Sequence, residues 1–378
     1  MKIGILTLPL HINYGGILQA YALQTVLERL GHDVVVYQKD YLYYKYQLPL
    51  WKYPLSYGKR SLMKAFVDKR IPLNYEKKRM REEPIIRQHL NLFINNYIHS
   101  VKIEKPRDID LSAVDCIIVG SDQIWRPVHL MFLYKSHVQE AFLDFAKDWE
   151  GKRIAYAASF GTEKWELSSE ETSICKELAK SFDAISVRED TGVKLCEEYL
   201  GIKAEQVLDP TLLLQRSDYI KLIKGTKVQK NKGKLFGYIL DKTSEKIALV
   251  EKVAKEKGLK PFYINLSFGD IKDPVEQRIL PSVEQWLNYF YDAEFVVTDS
   301  YHGCIFSIIF NKRFITIGNE ERGMSRFKSL FSSLGLESRL CTNLSDADST
   351  ILIDDNTDYE MHLSLLRQRS MQFLTKFV

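Results

Sequence analysis

The feature that most constrains this chain is the stretch Val296-Val297-Thr298-Asp299-Ser300-Tyr301-His302-Gly303, a β-branched apolar run that stops abruptly in polar residues and leads straight into a helical pattern. Consecutive apolar residues mark a strand buried on both faces, the habit of parallel sheets. A helix opening near Gly303 places His302 at the carboxyl end of that sheet, beside backbone N–H groups that favour anions. A helix-capping turn, in which His302 only satisfies backbone groups, is the competing reading. Function is favoured because a second polar strand end and an arginine are placed the same way upstream.

The same rhythm runs through most of the chain. Residues 2–8 read as a buried strand, followed by a loop with Asn13, Tyr14, Gly15 and Gly16 and a helix through Leu30 that Gly31 closes in a left-handed conformation. Asp33 to Gln38, Cys116 to Val119, Arg153 to Ala158, Ala184 to Val187 and Gln206 to Leu208 read as further strands, several ending in polar or glycine-bearing turns. In a doubly wound sheet such ends lie along one edge, so their loops converge on a crevice. The second half repeats the pattern with strands Leu235 to Leu240, Pro261 to Asn265, Ala293 to Val297 and Phe314 to Ile317, and with a capping box at Ser282 and Gln285. The expected fold is α/β, two Rossmann-like domains facing a cleft. Residues 1–215 form the first and 216–350 the second, and a helix within 351–378 packs back toward the first. Residues 41–100, rich in tyrosine, lysine and arginine, interrupt the first domain as a mostly helical insertion, either a solvated excursion or an acceptor-binding flap.

A chain of 378 residues exceeds one ordinary core, and 45% hydrophobic with 27% charged residues is globular. The net charge of +4 is too small to argue for nucleic acid. Five scattered cysteines read as reduced, mostly buried thiols. The opening residues enter a strand without the apolar region of a signal peptide, and no segment holds the roughly 18 apolar residues that span a bilayer. A cytoplasmic protein is expected, compatible with peripheral contact at the inner face of a membrane.

Several constellations could carry chemistry. Asn13 to Gly16 could bring backbone to a phosphate, although the loop matches neither G-x-G-x-x-G nor the P-loop and Gln38 closes the second strand where a dinucleotide site needs an acid. A tight turn explains it equally well. Arg188, at a strand's carboxyl end, could clamp a carboxylate or phosphate or pair with Glu189 or Asp190. Arg322 and Arg326, one turn apart, could add a second cationic jaw or form a surface stripe. Ser121, Asp122 and Gln123 end another strand, and Trp125 reads as packing. No metal-ligand spacing and no G-x-S-x-G elbow is present, so neither a metal site nor a serine triad is expected. A histidine and arginines around an anion suggest acid–base chemistry on a phosphorylated or carboxylated small molecule.

With these residues assembled, the chain resembles the polysaccharide pyruvyl transferase family. The resemblance is carried by Ile12-Asn13-Tyr14-Gly15-Gly16-Ile17-Leu18-Gln19-Ala20-Tyr21-Ala22-Leu23, Val119-Gly120-Ser121-Asp122-Gln123-Ile124-Trp125, Ser186-Val187-Arg188-Glu189, Asp209-Pro210-Thr211-Leu212-Leu213 and Thr298-Asp299-Ser300-Tyr301-His302-Gly303. It implies a GT-B-like fold and transfer of a pyruvyl group from phosphoenolpyruvate, a co-substrate in the absence of any cofactor. The acceptor would be a sugar of a surface polysaccharide or of its lipid-linked precursor, and the product a ketal. It further implies catalytic roles for His302 and Asp122, and a donor site of Arg188, Ser300, Tyr301, His302, Gly303, Arg322 and Arg326. Asn13, Tyr14, Gly15, Gly16, Ser121 and Gln123 would lie on the acceptor side. Ser300 departs from the arginine that well-studied members often carry there. One lost charge-assisted contact is worth about 1.5–3 kcal/mol, so either another arginine substitutes or the donor differs. Two other readings stay open: glycosyl transfer from a nucleotide sugar, with Glu320 or Glu321 holding a ribose, and a non-catalytic glycan- or lipid-phosphate-binding module.

Overall fold

The computed structural model describes residues 1–39, 51–130, 137–318, 323–342 and 358–378. Strands β1 (Lys2–Leu6), β2 (Asp33–Lys39), β3 (Ser100–Ile103), β4 (Cys116–Val119), β5 (Lys152–Ala158), β6 (Ala184–Val187) and β7 (Glu205–Gln206) form one sheet in the order β3-β2-β1-β4-β5-β6-β7. Every neighbouring pair is parallel, with Ile5 of β1 opposite Val36 of β2 and Ile118 of β4. Strands β8 (Leu235–Tyr238), β9 (Pro261–Phe262), β10 (Phe295–Thr298), β11 (Arg313–Ile317) and β12 (Leu340–Cys341) form a second parallel sheet ordered β12-β11-β10-β8-β9. The buried apolar runs explain both sheets: β4, β6, β8 and β10 are buried at every position. Each sheet reverses direction once, between β1 and β4 and between β8 and β10, and a crevice opens beyond the strand ends at such a point.

Local signals place the connecting helices. Thr243 and Ser282 cap the helices Ser244–Lys257 and Val283–Asp292, and Gly31 has a φ of +90° after the helix Tyr14–Arg29. The capping box expected at Ser282 is only half formed. Ser282 Oγ accepts from the Gln285 N–H at 3.1 Å, but the Gln285 side chain turns to the backbone of Gln229. Strands β3 and β12 carry no strong pattern because one is half exposed and the other holds two residues. The crossing near residue 216 contains the helix Arg216–Lys224.

One apolar core runs from the first sheet to the second and includes Ile17, Leu18, Leu212, Tyr219, Phe236, Trp286 and Phe306. Tyr14 stacks on Trp286 with ring centroids 5.3 Å apart, and its hydroxyl donates to the Pro281 carbonyl at 2.8 Å. The C-terminal helix Glu360–Phe377 returns to the first sheet, where Ser370 Oγ accepts from the Leu208 N–H and Arg367 Nε donates to the Leu212 carbonyl. The described part of the insertion is three helices, Lys52–Phe66, Tyr75–Ile86 and Gln88–Tyr97. Its middle helix is not a solvated excursion despite its charge. Glu76, Arg79, Glu82 and Glu83 are buried, and Arg278 and the carbonyls of Phe268 and Gly269 pair with it from the second half. All five cysteines are free and buried.

Trp286 is fully buried and meets Tyr14, Tyr238, Phe290 and Phe306. Trp286→Ala is expected to lower unfolding stability by about 3–5 kcal/mol, read as an earlier midpoint in urea.

Candidate functional site

The loops at the two reversal points face each other across a cleft of about 640 Å³. Leu8 to Gly16 after β1 and Asp122 to His129 after β4 contribute one wall; Tyr238 to Lys242 after β8 and Asp299 to His302 after β10 contribute the other. The size suits a small phosphorylated substrate and part of a sugar. Arg126, Lys242 and Arg326 bring positive charge to it, and His11, His129 and His302 bring three imidazoles.

Behind this surface lies a buried ion network centred on Arg188, whose side chain has no exposed surface. Its Nη2 donates to Asp122 Oδ1 at 2.8 Å and its Nη1 to Asp209 Oδ2 at 2.7 Å, while Glu189 Oε2 stands 3.9 Å from Nε. Burial opposes this charge, but Asp122, Tyr301, Asp209 and Glu189 outweigh it and hold the guanidinium above its ordinary value. Arg188 is therefore an ion pair, as the competing reading held, but with Asp122 and Asp209 as its close partners. It does not line the cleft, and so cannot itself clamp a donor there without breaking these bonds.

His302 sits in the first turn of the helix Tyr301–Ile309, which begins two residues earlier than expected because Ser300 is the N-cap and its Oγ accepts from the Gly303 N–H at 3.3 Å. His302 Nε2 stands 3.6 Å from Asp209 Oδ2, the oxygen that also accepts from Arg188. The opposite side of the ring lies against Gly15, where an added Cβ would come within 2.1 Å of His302 Cγ and Nδ1. Gly15 is thus a packing requirement of His302. The Tyr301 ring lies between two guanidiniums, Arg188 at 4.7 Å and Arg326 at 5.1 Å from its centroid. Arg326 is buried yet lines the cleft; burial, then the Arg188 charge, bring it down to about 10, still cationic at neutral pH.

The remaining expected residues divide. Asn13, Tyr14, Gly16, Asp122, Gln123, Ser300, Tyr301, His302 and Arg326 line the cleft. Ser121 does not: its N–H donates to Gln19 Oε1 and its hydroxyl to the Ala157 carbonyl, so it is sealed beneath the loop. Gly303 is needed for packing, since a Cβ there would meet Thr298 Oγ1 at 2.3 Å. Arg322, Glu320 and Glu321 lie outside the described residues. Asp122 is positioned by Asn13, whose Nδ2 donates to its Oδ2 at 3.3 Å, and it has a φ of +62°. Although burial raises its pKa, the charges of Arg188, His302 and Arg326 bring it down to about 2. A carboxylate so acidic and so fully bonded is a poor base for a sugar hydroxyl.

Sequence reasoning gave no role to Asp209, which stands between Arg188 and His302, or to a buried pair in which His11 Nε2 bonds to Glu83 of the insertion. His11 lines the cleft and Glu83 has no exposed surface. Asp209 had a signal, an acid ending a strand as Arg188 does. Glu83 had none, because one glutamate in a charged helix looks like any surface charge.

A model of a family described as polysaccharide pyruvyl transferase matches residues 13–321. The chain belongs to that family. Pyruvyl transfer to polysaccharide is its general activity, and this family member is a transferase in that sense. A comparison with curated protein sequences finds no match. Among solved structures, the chain is similar to UDP-GlcNAc 2-epimerase from Neisseria meningitidis bound to UDP-GlcNAc, with a TM-score of 0.52 and 11% identity over 100% of this chain and 99% of that one. It is also similar to MurG of Acinetobacter baumannii, with a TM-score of 0.47 and 10% identity over 99% and 98% of the two chains. The fold of this pyruvyl transferase family member is the two-sheet, GT-B-like α/β architecture that it shares with the epimerase.

Removing Arg188 leaves Asp122 and Asp209 buried without their counter-charge. Arg188→Ala is expected to cost about 3–5 kcal/mol of stability at neutral pH, measured by urea unfolding. Stability contributed by the low Asp122 pKa is complete above its unfolded value of 3.8 and is lost as pH falls toward about 2. Asp122→Asn should flatten that acid limb of a stability–pH profile.

Proposed function

We propose that this transferase moves the pyruvyl group of phosphoenolpyruvate onto two hydroxyls of one sugar, in a surface polysaccharide or its lipid-linked precursor, and forms a ketal. The observation that carries this reading is that Arg326 and His302 line the same cleft, a guanidinium together with an imidazole in the first turn of a helix. With Arg126 and Lys242 also lining it, the cleft is suited to an anionic ligand. Arg326 also offers the guanidinium that Ser300 lacks.

In this reading His302 gives a proton to the methylene carbon of the enol phosphate, leaving the central carbon electrophilic. A sugar hydroxyl adds to that carbon and loses its proton; the C–O bond to phosphate then breaks, and a second hydroxyl adds and closes the ring. Two hydroxyl protons are released, one matching the proton delivered to carbon and one leaving with phosphate. Asp209 orients His302 from behind, and Arg188 holds Asp209, so Arg188 is a positioning residue and not a donor contact. Asp122 is likewise held for position. The base on the acceptor side is His11, steadied by Glu83.

Calorimetry with phosphoenolpyruvate should show saturable binding that Arg326→Ala weakens by about 1.5–3 kcal/mol, roughly ten- to 150-fold. His302→Asn should retain that binding and lose phosphate release in the presence of p-nitrophenyl hexosides with adjacent free hydroxyls. Binding of UDP with no binding of phosphoenolpyruvate would overturn the donor assignment in favour of glycosyl transfer.

A further inference from the structure

The helix Lys52–Phe66 has no buried residue, which sets it apart from the other long helices. Its inner face is still defined. Tyr53, Ser56, Tyr57 and Arg60 are half-buried at i, i+3, i+4 and i+7. Arg60 pairs with Glu76 and donates to the Leu73 carbonyl at 3.2 Å, and Tyr57 bonds to Asn74. The opposite face is apolar and open to solvent. Trp51, Leu55, Leu62 and Phe66 fall on one helical stripe and are 66%, 68%, 62% and 83% exposed, with Val67 beyond them at 74%. Such a stripe of large apolar side chains on a surface marks something that covers it.

The charges around the stripe say what. Residues 51–70 hold Lys52, Lys59, Arg60, Lys64, Lys69 and Arg70 against the single acid Asp68. At 100° per residue Lys52 and Lys59 fall along the edge of the stripe, and the Lys52 ammonium lies 5.1 Å from the Trp51 ring. Two copies meeting through this face would bring like charges together. An anionic lipid surface would neutralise them while taking up the apolar side chains, and tryptophan beside lysine suits the headgroup boundary. No helix among the described residues is long and apolar enough to cross a membrane, so the contact is peripheral.

We propose that the outer face of the helix Lys52–Phe66 seats this protein on an anionic membrane surface. This goes beyond the reaction proposed above and does not depend on it. The seat is also joined to the cleft wall by a chain of contacts. Arg60 fastens the helix to Glu76, and the helix that carries Glu76 reaches the cleft wall through Glu83 and His11. An acceptor carried on a lipid in the same surface would meet the cleft from that side.

The test is flotation of the full chain with vesicles of phosphatidylcholine alone and of an equal mixture of phosphatidylcholine and phosphatidylglycerol. Wild-type protein should float with the mixture and much less with phosphatidylcholine. Leu62→Glu with Phe66→Glu should abolish flotation. Lys52→Ala with Lys59→Ala should lower partitioning by about thirtyfold, the worth of two cations near an anionic surface. All these positions are exposed, so melting temperatures should stay at the wild-type value and exclude misfolding. Wild-type protein that stays with neither vesicle, or that forms a dimer by light scattering which Leu62→Glu with Phe66→Glu dissolves, would overturn the proposal. Failure of phosphoenolpyruvate binding would leave it standing.

Discussion

The site depends on the bonding of one buried arginine. Arg188 joins the ends of three strands of the first sheet: Asp122 follows β4, Arg188 itself follows β6, and Asp209 follows β7. Strands β6 and β7 pair directly, but β5 lies between β4 and β6, so no backbone ladder ties the Asp122 loop to the other two. A planar guanidinium with several donors can do so, because each edge can serve a different carboxylate. Net stabilisation from such a network is modest, since all its charges had to leave water; its value lies in the penalty for breaking it. The network also crosses the cleft, through the Tyr301 ring and through Asp209 to His302, and so registers the second sheet against the first.

Close backbone approach is the second means of registration. Gly15 leaves room for the His302 ring, and Gly323, with a φ of +95°, lies so near the Gly161 carbonyl that a Cβ there would be 1.7 Å from the oxygen. Each contact pairs one half of the chain with the other. Together with the shared apolar core around Tyr14 and Trp286, they make the cleft a seam between packed surfaces.

The polar groups of that seam differ in where they lie. Arg188 is sealed behind the cleft, bonded to Asp122 and Asp209. Asp122, His302, Arg326 and His11 reach the cleft itself, and the last three are the groups our reading puts to work. Pairing His11 with Glu83 also explains why so polar a helix as Tyr75–Ile86 buries a charged face: its charges meet particular partners in the first sheet's loops and in the segment 268–278.

The two-sheet α/β architecture and most strand positions were legible in the sequence, because buried parallel strands show as short apolar runs ended by polar turns. The position of His302, Asp122 and Arg188 at such ends was legible too. What each of them bonds to was decided by tertiary structure. Arg188 looked like an anion clamp and is consumed by two carboxylates. Ser121 and Gly303 looked like site residues and are packed away. His11 and Glu83, 72 residues apart, form a pair that no local pattern announces. Periodicity reports which face of an element is buried, a local property of a repeating backbone. Which charge meets which partner depends on loops brought together from distant parts of the chain, and only the folded arrangement of the two sheets settles that.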